Sequence, residues 1–357
     1  MSQTPIDMWE TLTTAGIITA QKPAELPSDS PWYVKLLVAF SAWLASLFVL
    51  LLIILTGFAS SLMDNAYALT ITGLALIVAA YTVLRQSDHV FATNFALCIS
   101  FAGQVLVTLP ILDHADKGLH WLLVVLAVFH LLLAIVMPNF IHRVFSSMLA
   151  GGYLSYAFGA PYQIFITGII MVITVWLWLH EFRCPKHMAT QRAISYGLTL
   201  TVILTTASRL FPETLYFNDG PESIFLWVIL SPWLWWVGQA LLGAAALYTV
   251  WHILDRLGHK LFAPYSIAAL LGMLAIVIAT MDTEGITVGV LVLLLGFANS
   301  NRVLMGLGTV AMLSYISYYY YLLEVSLLDK SQTLLIIGVI LLAINFIQQK
   351  IAKVTHE

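Results

Sequence analysis

Charge is what this sequence has least of. Lys and Arg number 15 and Asp and Glu 18 among 357 residues, so 9% of the chain is charged. Soluble domains carry roughly 25%. So few charges cannot clothe a soluble surface of this size. Cysteine is almost missing as well. Cys98 falls in an apolar run and Cys184 in a basic loop, which excludes a disulfide framework and makes a bridge between them unexpected. Catalytic signatures are lacking too: no Gly-x-Ser-x-Gly, no His-Glu-x-x-His, no phosphate loop and no dinucleotide fingerprint. An enzyme reading has no constellation to stand on, and no cofactor is implied. A net charge of -3 gives no reason to expect a nucleic-acid partner.

Hydrophobic residues are plentiful. They make up 61% of the chain, with a mean hydropathy of +0.92. Runs of about 17–25 apolar residues are what a helix needs to cross a bilayer core of about 30 Å. The expected fold is therefore all-α: a polytopic integral membrane helix bundle of about twelve transmembrane helices in residues 33–348. The lipid bilayer is its first partner. Residues 1–32 read as a short cytoplasmic helix over 7–19 and a linker broken by Pro23, Pro27 and Pro31, with no signal-peptide pattern. Residues 349–357 read as a cytoplasmic tail.

The predicted crossings are 34–58, 67–84, 90–112, 119–137, 141–159 and 162–180, then 193–211, 233–254, 265–281, 286–298, 303–323 and 333–347. A short apolar piece, 224–230, precedes the eighth and reads as an interfacial or re-entrant element. With both termini placed in the cytoplasm, only Lys117, Arg209 and Lys330 of the 15 cations fall outside. That is the positive-inside bias, and a missed crossing would invert it.

The fifth crossing is weakly hydrophobic. Ser147, Gly151, Ser155 and Gly159 recur every four residues there, a small-residue stripe that lets helices approach closely. His130 stands alone as an ionisable residue at mid-depth. It reads either as a functional group or as a histidine bonded to a neighbouring helix. Asp113, His114, Asp116 and His120 form a weak outer metal candidate, and His180, Cys184 and His187 a weaker inner one. Neither has a defined ligand spacing.

The most individual stretch runs from Gly296 to Lys330. The tenth crossing is short, so the turn Asn299-Ser300-Asn301-Arg302 must lie at or near the inner hydrocarbon boundary. It is expected to line an inward-facing vestibule or to thin the bilayer locally. Tyr318, Tyr319, Tyr320 and Tyr321 close the next helix. They suit an interfacial belt, although four in a row cannot all face lipid.

The loop Asp255 to Lys260 partly resembles the cytoplasmic loop motif of the major facilitator superfamily. Trp251 stands where that motif has glycine, and the copy expected after the second helix is missing. A fuller resemblance rests on Gly296 to Arg302, on Ser317 to Tyr321 and on Leu327 to Ser331. There the chain resembles a bacterial membrane family catalogued as domain of unknown function 4401. That resemblance implies a bacterial inner-membrane protein. It also implies a second membrane protein as partner, typically encoded alongside and bearing a GDYxxLxY motif. It supplies no activity. The expected role is a subunit or assembly partner of an envelope complex, with a permease for a neutral or amphipathic solute as the alternative and an intramembrane enzyme last.

Overall fold

The computed structural model describes residues 13–14, 16, 32–55, 65–87, 89–113, 119–158, 160–181, 187–208, 225–258, 263–281, 285–322 and 331. The described chain is all helical, with no strand. Its eleven helices are α1 (Trp32–Leu55), α2 (Ala66–Gln86), α3 (Val90–Asp113), α4 (Leu119–Val136), α5 (Phe140–Ala157) and α6 (Ala160–Leu179), then α7 (Met188–Ser208), α8 (Phe225–Arg256), α9 (Pro264–Ala279), α10 (Ile286–Ala298) and α11 (Arg302–Leu322). They follow the order and approximate bounds of the first eleven apolar runs. The twelfth run lies outside the described residues, as does most of the 7–19 segment.

Among the described residues, five helices are long and apolar enough to cross a membrane: α2, α3, α6, α8 and α11. Shorter apolar helices occupy 120–136, 264–279 and 286–298. The protein is therefore a membrane-embedded helix bundle. One expectation is corrected. The apolar piece 224–230 is no separate element, because α8 runs unbroken from Phe225 to Arg256 through Ser231 and Pro232. A membrane helix tolerates an internal proline when its neighbours re-satisfy the freed carbonyl. At about 1.5 Å per residue, 32 residues reach roughly 48 Å, longer than the bilayer core.

Water cannot drive helices together inside lipid, so close packing and interhelical hydrogen bonds do. Glycines mark the tightest approaches. A Cβ on Gly73 of α2 would sit 2.6 Å from the Gly103 carbonyl oxygen of α3. On Gly238 of α8 it would sit 2.8 Å from the Ile164 carbonyl of α6, and on Gly289 of α10 it would overlap Met312 of α11. Helices α5 and α7 meet at Ser147 and Gly151, and Ser155, one turn farther on the same face, is buried as well. A Cβ on Gly151 would lie 2.7 Å from Thr201 Oγ1, and one on Gly197 would overlap Ser147 Oγ. Gly159 lies outside the described residues.

Helix α7 carries an unusual load of hydroxyls for an intramembrane position. Thr199, Thr201, Thr205 and Thr206 are buried, and each donates back to the carbonyl four residues earlier at 2.7–3.1 Å. Back-bonding satisfies the hydroxyls without a solvent partner. The largest buried apolar cluster joins α6 to α11 through Met171, Trp178, Val202, Leu242, Leu291 and Leu304. Smaller clusters join α2, α3 and α4, and α4 to α5.

Candidate functional site

Ser100, Gln104 and Thr108 of α3 recur every four residues, so they share one face of the helix. All three are buried. That face meets α5 at His142, which has no exposed surface. His142 Nε2 lies 2.8 Å from Ser100 Oγ and 2.9 Å from Gln104 Nε2, and its Nδ1 lies 3.1 Å from Ser146 Oγ. Phe101 stacks on the imidazole at 5.4 Å. Farther along the same face, Thr108 lies near the Tyr153 side chain of α5. Tyr153 in turn lies 5.1 Å from the His130 ring of α4. A polar seam thus runs between α3, α4 and α5.

The seam fixes much of its own chemistry. With Gln104 donating through Nε2, His142 Nε2 is the bare nitrogen and Nδ1–H faces Ser146. Rotating the amide by 180° exchanges the two tautomers. Gln104 Oε1 is buried and has no partner among the described residues. His130 donates from Nδ1 to the Leu126 carbonyl at 2.9 Å. That hydrogen bond stays within α4.

A second polar cluster gathers at one end of the bundle. Arg256, the last residue of α8, donates to the Leu179 carbonyl at 3.0 Å and to the Ala298 carbonyl at 3.3 Å. Those are the last residues of α6 and α10, whose terminal carbonyls have no partner within the helix. An arginine there also complements the helix dipoles. Beside it Asn301 is buried. It donates from Nδ2 to the Tyr196 hydroxyl at 2.6 Å, and its Oδ1 accepts from the Val303 and Leu304 amides, capping α11.

The turn between α10 and α11 closes α10 as well. Asn301 N–H bonds the Gly296 carbonyl and Ser300 N–H the Phe297 carbonyl, with Ser300 at φ 51°. This is a Schellman ending with serine where glycine is usual. Glu181, just past α6, is buried and pairs with Arg192 Nε at 3.5 Å. Burial pushes its carboxyl above the usual range, against the opposing pull of Arg192.

A family model matches residues 31–351, described as Domain of unknown function (DUF4401). The chain belongs to the DUF4401 family. No curated protein and no solved structure matches it. The family match extends far beyond the last third of the chain, where the individual motifs lie, and takes in the seam and the end cluster alike.

Within this DUF4401 chain the sequence-predicted residues fall as follows. Asn299 donates from Nδ2 to the Leu295 carbonyl, while its Oδ1 is buried with no partner among the described residues. Arg302 is exposed at the first position of α11. Tyr318 and Tyr319 are half-buried and meet edge to face at 6.2 Å, Tyr320 is exposed, and the Tyr321 side chain is outside the described residues. Of the outer metal candidates, His114 and Asp116 and the Asp113 side chain lie outside the described residues. His120 is half-buried against Trp121. The described residues hold no group of three metal-ligating side chains.

Sequence reasoning named His130 as the one ionisable group at depth, and the structure adds a second buried histidine, His142, in the first turn of α5. Past the end of α6, Glu181 is 4% exposed, a buried acid outside the predicted crossing. The four-residue spacing of Ser100, Gln104 and Thr108 was the available signal for the seam. Tyr315 was missed as well. Three residues before the tyrosine run, it is 2% exposed and donates to the Ile203 carbonyl at 2.7 Å. Gly285 makes room for its ring, since a Cβ there would overlap it.

Proposed function

We propose that this protein is a bacterial inner-membrane bundle of twelve crossings, both ends cytoplasmic, that serves as a subunit or assembly partner of an envelope membrane complex. One observation carries this reading. Among the described residues, the long-range side-chain hydrogen bonds of His142, Arg256 and Asn301 join helices or close helix ends, most buried hydroxyls bond back within their own helices, and two cavities are open apolar grooves. Polar groups used in that way hold helices in place, and a permease would turn such groups toward a shared wet passage. The partner favoured by the family resemblance is a membrane protein bearing the GDYxxLxY motif.

Co-expression of the two chains, with affinity capture of one in mild detergent, tests the proposal. A stoichiometric complex that survives size exclusion is the expected result. Independent elution of both chains overturns it. The unpartnered Gln104 Oε1 in the seam is the observation that favours a permease for a neutral solute. Saturable solute flux in proteoliposomes, abolished by Gln104→Leu, would establish that second reading. The topology has its own test in single-cysteine labelling of intact cells. Asn218→Cys is expected to react with an impermeant reagent and Thr190→Cys to stay protected, and the reverse pattern rules it out.

A further inference from the structure

The starts of two helices and the body of a third meet at one of the grooves. Phe140 and Val144 of α5 form one wall, and Val303 and Leu307 of α11 another. Arg192, Tyr196 and Leu200 of α7 form its floor, and its volume is about 460 Å³. The residues come from the first two turns of α5 and α11 and the second to fourth turns of α7, so the starts of α5 and α11 face the body of α7. Helix starts carry partial positive charge, and neither α5 nor α11 has an acidic residue in its first turn.

Arginine adds full charges at the same end. Arg192 lines the groove with its side chain 44% exposed. Arg302 begins α11 beside Val303, and Arg143 precedes Val144. Arg143 Nε is buried with no hydrogen-bond partner among the described residues. The acid set against this charge is Glu181, which meets Arg192 through Nε alone, at 3.5 Å.

We infer that this groove is a binding site for an anionic phospholipid. The arginine end receives the headgroup phosphate, and the apolar walls of α5, α7 and α11 hold an acyl chain. The two parts of the groove match the two parts of such a lipid. Charge collects where helices enter the membrane, and the surface beyond it is apolar, with Val303 62% exposed and Phe140 44%. Basic pockets between membrane helices recognise anionic headgroups, and each cation near the surface contributes about 1 kcal/mol. The bond from Asn301 to Tyr196 fixes the floor against the start of α11, so the site is preformed.

The test uses the full chain in detergent and native mass spectrometry. The probes are dioleoylphosphatidylglycerol, dioleoylphosphatidylethanolamine with the same acyl chains, and inorganic phosphate. Phosphatidylglycerol should be retained in preference to phosphatidylethanolamine. The preference should fall roughly fivefold for each of Arg192→Gln and Arg302→Gln, and about thirtyfold with both. Exposed Arg302 makes Arg302→Gln the variant that carries the test if loss of Arg192 lowers the yield. Val303→Trp with Leu307→Trp fills the groove, keeps the charges, and should weaken both lipids. Four results would each overturn the site: equal retention of the two lipids, arginine variants that retain phosphatidylglycerol like the wild type, undiminished binding to the filled groove, or displacement of lipid by inorganic phosphate alone.

Discussion

In the α3–α5 seam, side chains from the middle of α3 bond the side chain of His142 in the first turn of α5. At the α6–α11 end, side chains bond backbone carbonyls and amides where helices stop. His142 gathers Ser100, Gln104 and Ser146, and its loss strands all three in a dry interior. Arg256 and Asn301 serve groups that lie near the end of the bundle, where water or a headgroup can take over part of their role. The same count of hydrogen bonds should therefore matter more in the seam than at the end. Burial of the orphaned partner sets the cost, more than the bond itself.

The largest effect is expected from His142→Leu. An interhelical hydrogen bond in a membrane is worth about 0.6 kcal/mol on average, and an unsatisfied buried polar group costs about 1–3. Losing the hub should cost about 2–3 kcal/mol, read as a marked fall in melting temperature in detergent. His142→Gln should recover part of it by bonding to Ser100 again. Equal loss in the two variants would mean that ring packing on Phe101, and not hydrogen bonding, holds the seam.

Asn301→Ala comes next, at about 1–2 kcal/mol. It removes the cap of α11, typically about 1 kcal/mol, and the bond to Tyr196. Tyr196→Phe should reproduce only the smaller, second part. If Asn301→Ala destabilises more than His142→Leu in the same detergent, the contrast between seam and end fails.

Arg256→Gln should cost less, about 0.5–1 kcal/mol, because its carbonyl partners are at helix ends. The loss should grow when salt is lowered if the arginine acts on the helix dipoles, and stay constant if only the two hydrogen bonds count. Melting curves at two ionic strengths separate the cases.

Much of the helical order was legible because lipid demands unbroken apolar runs, and α1 to α11 follow eleven of them. What stayed hidden depends on which faces meet. His142 stands in the first turn of α5, where a sequence reading places it at the interface. It is buried because α3 carries Ser100 and Gln104 alongside it. Gly285 and Tyr315 are thirty residues apart, and only the fold shows that one leaves space for the other. The groove above Tyr196 joins residues from 140 to 307. Periodicity reports a helix's faces and leaves their partners undetermined, which is why Ser147 and Gly151 could be named as a packing stripe while Thr201 and Gly197 could not be named as their contacts.

The smallest effect belongs to Glu181, and its sign decides what its pair with Arg192 is for. Burial holds the Glu181 carboxyl above the ordinary value, and Arg192 opposes this without overcoming it. The fold therefore favours the protonated form relative to the unfolded chain. A carboxyl raised in this way contributes stability at pH below its unfolded value. That contribution is lost as pH rises through the folded value. Glu181→Gln keeps the shape and the neutral state at every pH. The melting temperature of Glu181→Gln minus that of the wild type should thus increase from about pH 4 upward through the carboxylate range. At neutral pH the variant should be at least as stable as the wild type. If the ion pair were the stabilising element, the trend would reverse, with the variant weaker at neutral pH and the gap closing in acid. The predicted sign would mean that Glu181 holds Arg192 in place at the groove without strengthening the end of the bundle.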